Sequence, residues 1–157
     1  MERYEKLLLM AVEFAREGQS EILEKMIKHG LNVNLKDEKG NTLLMLSSYN
    51  GNYETSEMLL LNGAKVDERN DRGQTPLGGV AFKGDIKHID LLLKYGADID
   101  ANQGGGKTPL MFAAMFGQKE AVEYLLEKGA DKNKTFMGMD IKTLAKITGG
   151  FRKVIGF

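Results

Sequence analysis

A spacing of 33 residues between recurring residue types is the feature that most constrains how this chain of 157 residues can fold. The recurring sets are Gly30, Gly63, Gly96 and Gly129; Gly18, Gly51, Gly84 and Gly117; Gly40, Gly73 and Gly106; Thr42, Thr75 and Thr108; and the apolar pairs Met26-Ile27, Leu59-Leu60, Leu92-Leu93 and Leu125-Leu126. Such a period predicts an array of similar units, because each unit buries its apolar face only by packing on its neighbours.

Within one period the sequence predicts a helix, a turn, a second helix and a loop. Thr75-Pro76 is typical of an N-cap followed by proline at the first helical position, where the missing N–H costs nothing. Gly84 is expected to end this helix, since glycine adopts the left-handed conformation of a helix end. The loop at 97–106 is rich in turn residues and is expected to project as a hairpin. The second helix is predicted from Ile86, Ile89, Leu92 and Leu93.

One segment carries a family resemblance. The residues concerned are Thr108-Pro109-Leu110-Met111-Phe112-Ala113-Ala114, Gly117, Leu125-Leu126 and Gly129-Ala130-Asp131, which resemble the ankyrin-repeat consensus at its own period. The resemblance covers roughly residues 4–157 and implies an all-α solenoid of stacked helix-turn-helix units with projecting hairpin loops. We expect a single domain, 1–157, with an N-terminal cap unit at 1–36, full units at 37–69, 70–102 and 103–135, and a truncated C-terminal cap unit at 136–157.

The sequence departs from the family pattern at several places. Met45, Gly78 and Met111 occupy the position of the family's histidine, so its usual hydrogen bond to threonine cannot form. We interpret the Gly78-Gly79 pair as close approach to a neighbouring helix, with a soft or backbone-exposed patch as the alternative. Ile141 stands where threonine recurs, so fraying or a local rearrangement is expected at the C-terminal end. Slightly weaker packing, without chemistry, is expected from Ser47, Ser48, Thr55 and Ser56.

Resemblance to the family implies a concave groove lined by loop tips and by one edge of each first helix. Placed on this sequence, the loop residues are Glu38, Lys39, Asn41, Asp71, Arg72, Gln74, Gly104, Gly105 and Lys107. The helix-edge residues of the three full units are Tyr49, Asn50, Phe82, Lys83, Met115 and Phe116. Tyr49, Phe82 and Met115 are 33 residues apart. We expect an exposed apolar row here that binds a partner, because aromatic and Met side chains are enriched at interface centres. The alternative is that these side chains only cover helix ends.

One further motif and two histidines are possible sites of chemistry, and each has a simpler explanation. The segment Ala101-Asn102-Gln103-Gly104-Gly105-Gly106-Lys107-Thr108 satisfies a loose phosphate-loop pattern, but no buried strand precedes it. Its glycines are expected to make the loop tip flexible or to let a partner approach the backbone. His29 is expected near helix-end carbonyls, and His88 is expected to be hydrogen-bonded and partly buried. We therefore expect no metal, no cofactor and no catalytic residues.

Composition argues against several classes of function, namely those that depend on net charge or on cysteine. Acidic and basic residues balance at 22 each, so no net field favours nucleic acid or a membrane surface. Cysteine is absent, which excludes disulfides and thiolate chemistry. No export signal is visible, so a cytoplasmic monomer is the default expectation.

The leading hypothesis is a protein-interaction module that binds a protein or peptide in its concave groove and is not an enzyme. The alternative is a structural or regulatory accessory protein of an enzyme. The segment Asn70-Asp71-Arg72-Gly73-Gln74-Thr75-Pro76-Leu77 looks like small stand-alone bacterial ankyrin-repeat proteins, some of which are tied to catalase and the oxidative-stress response. A nucleotide-binding or hydrolytic enzyme is the third class.

Overall fold

The computed structural model describes residues 1–148, so the last part of the expected C-terminal cap unit (136–157), residues 149–157, lies outside them. Helices account for most of the described chain. They are α1 (Glu2–Glu17), α2 (Ser20–Lys28), α3 (Leu43–Tyr49), α4 (Tyr53–Leu61), α5 (Pro76–Lys83), α6 (Ile86–Lys94), α7 (Pro109–Met115), α8 (Lys119–Glu127) and α9 (Ile141–Ile147). The all-α solenoid that the sequence predicts is confirmed.

The helices form two layers. The first helices α1, α3, α5, α7 and α9 pack side by side in that order, and the second helices α2, α4, α6 and α8 follow the same order behind them. The core between the layers repeats with the sequence period. Each full unit contributes two leucines at equivalent positions that are at most 1% exposed, namely Leu44 and Leu59, Leu77 and Leu92, and Leu110 and Leu125. Burial of these equivalent side chains makes one continuous apolar core along the stack.

Threonine is the N-cap of α3, α5 and α7, and proline follows it in α5 and α7. The Thr42 and Thr108 hydroxyls accept hydrogen bonds from the backbone N–H groups of Met45 and Met111. Thr75 is also an N-cap, but its side chain makes no such bond within its own helix.

The residues that precede two of the second helices, α4 and α8, donate side-chain hydrogen bonds to the preceding unit. Asn52 donates its side-chain N–H to the carbonyl of Arg16 at 2.7 Å, and Gln118 donates to the carbonyl of Phe82 at 2.9 Å. Both bonds satisfy carbonyls at the end of a first helix, which have no partner within that helix. The equivalent residue between them is Asp85, which as a carboxylate cannot donate and instead contacts His88.

The C-terminal end of the stack shows a local rearrangement, as expected. The register shifts there by one residue, because Asp140 caps α9 by accepting from Thr143 N–H, and Ile141 is buried inside the helix. At the N-terminal end α1 is 16 residues long and exposes apolar as well as charged side chains. Its exposed apolar side chains are Tyr4, Leu7, Leu9 and Met10.

Candidate functional site

A groove of about 770 Å³ runs between the loop tips and the first helices of the second, third and fourth units. One wall is polar and comes from loops: Glu38, Lys39, Asn41, Asn70, Asp71, Arg72 and Gln74. The remaining lining comes from α3, α5 and α7 and the residues next to them: Met45, Leu46, Tyr49, Asn50, Thr75, Pro76, Gly78, Gly79, Phe82, Phe112 and Phe116. The groove is therefore lined by polar and charged loop residues together with mostly apolar helix residues, several of them aromatic.

Three aromatic rings from three consecutive units form a continuous row along this groove. The Tyr49 and Phe82 rings stack with centroids 6.2 Å apart, and the Phe82 and Phe116 rings are 4.3 Å apart. Tyr49 is 43% exposed and Phe116 is 48% exposed, whereas Phe82 between them is half-buried. The Lys83 ammonium lies 4.7 Å from the Tyr49 ring centroid, a cation–π distance. The row thus presents apolar surface to solvent with a cation beside it.

Ten of the fifteen residues that the sequence placed at a binding site line the groove. They are Glu38, Lys39, Asn41, Tyr49, Asn50, Asp71, Arg72, Gln74, Phe82 and Phe116. Outside its lining are Lys83, Gly104, Gly105, Lys107 and Met115. Although Met115 is in register with Tyr49 and Phe82, the ring that meets Phe82 belongs to the next residue, Phe116.

The fourth-unit loop is shaped by contacts within the chain. A Cβ on Gly104 would lie 2.5 Å from the carbonyl oxygen of Arg72, so glycine allows the two loops to approach closely. The Lys107 ammonium lies 4.4 Å from the ring centroid of Phe136 in the fifth unit.

The floor of the groove contains a hydrogen-bond network that was not predicted from the sequence. The Gln103 side chain, from the fourth unit, accepts from the backbone N–H of Thr75 and donates to its hydroxyl, both at 2.8 Å. Gln103 also donates to the carbonyl of Ala101 at 2.9 Å. A Cβ on Gly78 would overlap the side-chain oxygen of Gln103. Gly78 therefore makes room for a side chain from the next loop, not for a neighbouring helix as expected.

The polar wall is held by side chains that cap their own loops. Asp37 accepts from the backbone N–H groups of Lys39 and Asn41, both at 2.9 Å, and its carboxylate lies 3.5 Å from Arg16. Burial pushes the pKa of Asp37 up, but hydrogen bonds from Asn41 and Lys39 and the Arg16 charge outweigh burial and lower it below 3.8. Asp37 is therefore a charged anchor for the loop that carries Glu38 and Lys39.

A serine, a histidine and an aspartate are connected in the core, although the sequence showed no motif that would join them. His88 is 1% exposed; its Nδ1 lies 2.7 Å from Asp85 Oδ2 and its Nε2 lies 3.0 Å from Ser56 Oγ. We assign the proton to Nδ1, because a carboxylate can only accept, so that Nε2 accepts from Ser56. Ser56 is fully buried and also meets Ser47 Oγ at 2.9 Å. The groove lining includes none of these four side chains, those of Ser47, Ser56, Asp85 and His88. Their hydrogen bonds therefore satisfy buried polar groups between the second and third units.

The described residues show two further facts about possible sites. Within 1–148 no group of three or more His, Cys, Asp or Glu side chains is placed to hold a metal ion. Among the helices of the same residues, none is both long and apolar enough to cross a lipid bilayer.

Paired helices stacked in one direction, with projecting loops and an open groove, define a linear helical-repeat protein. The family profile described as Ankyrin repeats (3 copies) matches residues 8–103 and, in an overlapping match, residues 57–136. The chain belongs to the ankyrin-repeat family, whose members generally serve as protein–protein interaction modules.

A protein of Pseudomonas aeruginosa that is named as an ankyrin repeat protein is 49% identical over 39 residues. That segment is 25% of this chain and 23% of the relative, so the match covers less than a quarter of the relative's length.

Proposed function

We propose that this chain binds a protein or peptide partner in the groove, with Tyr49, Phe82 and Phe116 as its principal contacts and without a chemical step. The observation that carries the proposal is the continuous aromatic row, which leaves Tyr49 and Phe116 nearly half exposed. Exposed aromatic side chains that neighbour one another are typical of the centres of protein interfaces.

The charged wall supports the same function. Glu38, Lys39, Asp71 and Arg72 are all exposed loop residues that line the same groove as the aromatic row. Rim charges of both signs fix the orientation of a partner and its rate of association more than they add affinity. A specific interface buries about 800 Å² on each side, so we expect the partner to contact the surfaces beside the groove as well as the groove itself.

The direct test is the double variant Phe82→Ala/Phe116→Ala. A partner captured from a lysate of the native organism is identified by mass spectrometry, and its affinity for both proteins is then measured. We expect the variant to lose about 2 kcal/mol of binding free energy, roughly a thirtyfold weaker affinity, because two interface-centre rings are removed.

Leu61→Ala/Leu126→Ala is the matched control, since Leu61 and Leu126 are 69% and 39% exposed outside the groove. Circular dichroism checks that each variant is folded. Unchanged affinity in a folded Phe82→Ala/Phe116→Ala protein would contradict the proposed site. The same capture tests the alternative that the partner is an enzyme such as a bacterial catalase, because wild type would then recover a haem enzyme that the groove variant does not.

A further inference from the structure

The groove floor lacks one side chain in the third unit. Leu46, Gly79 and Phe112 are 33 residues apart, so they occupy the same position in three consecutive units, and all three line the groove. Leu46 and Phe112 are each 7% exposed and fill this position with apolar side chains. Glycine leaves this position without a side chain at Gly79. The floor therefore lacks, in the third unit, the apolar side chain that the units on either side have, and we call this position the notch.

The fold itself does not require glycine at this position. A Cβ on Gly79 would meet only Tyr49 Cδ2, at 3.5 Å, which is an ordinary van der Waals contact. Gly79 is not among the glycines with positive φ, and it lies inside α5, where glycine is less favourable than alanine. Its neighbour Gly78 differs, since a Cβ there would overlap Gln103. Packing within the chain thus accounts for Gly78 and leaves Gly79 unexplained.

The surroundings of the notch specify what would fit it. The Tyr49 ring borders Gly79 at its Cδ2 edge, and Phe82 stacks on that ring from one helical turn further along α5. The Lys83 ammonium lies 4.7 Å from the centroid of the same Tyr49 ring. Lys83 is exposed, and no carboxylate within residues 1–148 forms an ion pair with it. An apolar position bordered by a ring that carries an unpaired cation on its face is complementary to an apolar side chain next to a carboxylate.

We propose that the notch at Gly79 is the anchor pocket of the groove. It takes one leucine-sized aliphatic side chain of the partner, and an Asp or Glu within two residues of that side chain pairs with Lys83. This inference rests on the proposed function, because it specifies the chemistry of the partner segment that the groove binds. It also gives the helix-weakening glycine a role in binding.

The test uses a phage-displayed library of random peptides selected on the wild-type chain, followed by affinity measurements on one enriched peptide. We expect the enriched peptides to share a Leu, Ile or Met with an acidic residue within two positions. The variant Gly79→Leu should weaken binding by at least about tenfold, because it restores the side chain that Leu46 provides in the second unit and so fills the notch. Lys83→Gln should weaken binding less and should reduce its dependence on salt, since it removes one charge pair.

The controls separate this inference from the proposed function and from misfolding. Gly79→Ala should melt no lower than wild type, and a lower melting temperature would overturn the inference because it would mean that the notch has no free space. Peptides that lose affinity to Phe82→Ala/Phe116→Ala but bind Gly79→Leu as tightly as wild type would leave the proposed function standing and overturn the anchor pocket. Peptides unaffected by either change would contradict both.

Discussion

Gly78 and Gly79 are adjacent in α5, but their surroundings differ at the scale of single residues. Gly78 is needed because Gln103 occupies the space that a Cβ would take. Gly79 has room for a Cβ and lines the groove. Alanine substitutions at the two positions should therefore change the free energy of unfolding in opposite directions.

The first prediction compares Gly79→Ala with Gly78→Ala. Gly79→Ala should stabilise the fold by about 0.5–1 kcal/mol, because alanine is favoured over glycine in a helix interior. Gly78→Ala gains the same propensity but displaces Gln103 and leaves the buried N–H of Thr75 without an acceptor, which costs about 1–3 kcal/mol. Urea denaturation of both variants checks the prediction, and shifts of the same sign would contradict it.

Residue spacing was enough to find the aromatic row but not the bonds beneath it. Tyr49 and Phe82 could be predicted because equivalent positions of stacked units lie side by side. The Gln103–Thr75 pairing joins a loop to a helix start 28 residues earlier and leaves no periodic or propensity signal. Whether Met115 or Phe116 contacts Phe82 depends on where α7 ends. Helix ends are the part of a helix that a sequence pattern defines least well.

At the scale of helices, the second layer is joined by polar side chains as well as by leucines. The Tyr124 hydroxyl of α8 donates to Asp90 of α6 at 2.6 Å. This hydrogen bond, together with burial and repulsion from Asp90 and Glu127, raises the pKa of Tyr124 to about 12. Periodicity predicted both helices, but a bond between surface residues of neighbouring units depends on their relative orientation.

The second prediction concerns Asp90→Asn. Loss of the carboxylate should bring the pKa of Tyr124 back towards 10.0, because neither the charge nor the strong acceptor would remain. The folded pKa is raised above the unfolded value, so the stabilisation from this bond is complete below pH 10.0 and is lost as pH rises through about 12.

Ultraviolet titration of tyrosinate in wild type and Asp90→Asn measures this shift, and Tyr124→Phe identifies which of the five tyrosines is responsible. Identical titration curves for wild type and Asp90→Asn would show that the hydrogen bond does not control the Tyr124 pKa.

At the scale of the whole molecule, each unit packs only on its neighbours, so stability varies along the stack. Helix α5 packs between α3 and α7 and against α6, whereas α9 packs mainly on α7. The sequence predicted a rearrangement at this end from the misplaced Ile141. The one-residue shift that puts Asp140 at the N-cap could not be derived, because it follows from the short turn at 136–139.

The third prediction is a gradient of hydrogen exchange. Amides of α9 should exchange faster than those of α5, because within residues 1–148 fewer helices pack on α9 than on α5. Leu144→Ala, which removes a side chain that is 2% exposed, should accelerate exchange in α9 and leave α1 unchanged. Exchange measured by mass spectrometry on peptic fragments tests both statements, and equal acceleration in α1 would indicate a single cooperative unit instead.

The reach of Gln103 into the preceding unit also bears on how such an array can evolve. Loss or gain of a whole unit changes which residues meet at the boundary between the units that remain. Loss of residues 103–135 would place Phe136 where Gln103 stands, so Thr75 would lose its hydrogen-bond acceptor and Gly78 would lose the side chain for which it makes room. We therefore expect a rearrangement that separates the third and fourth units to be tolerated only with compensating substitutions at this boundary.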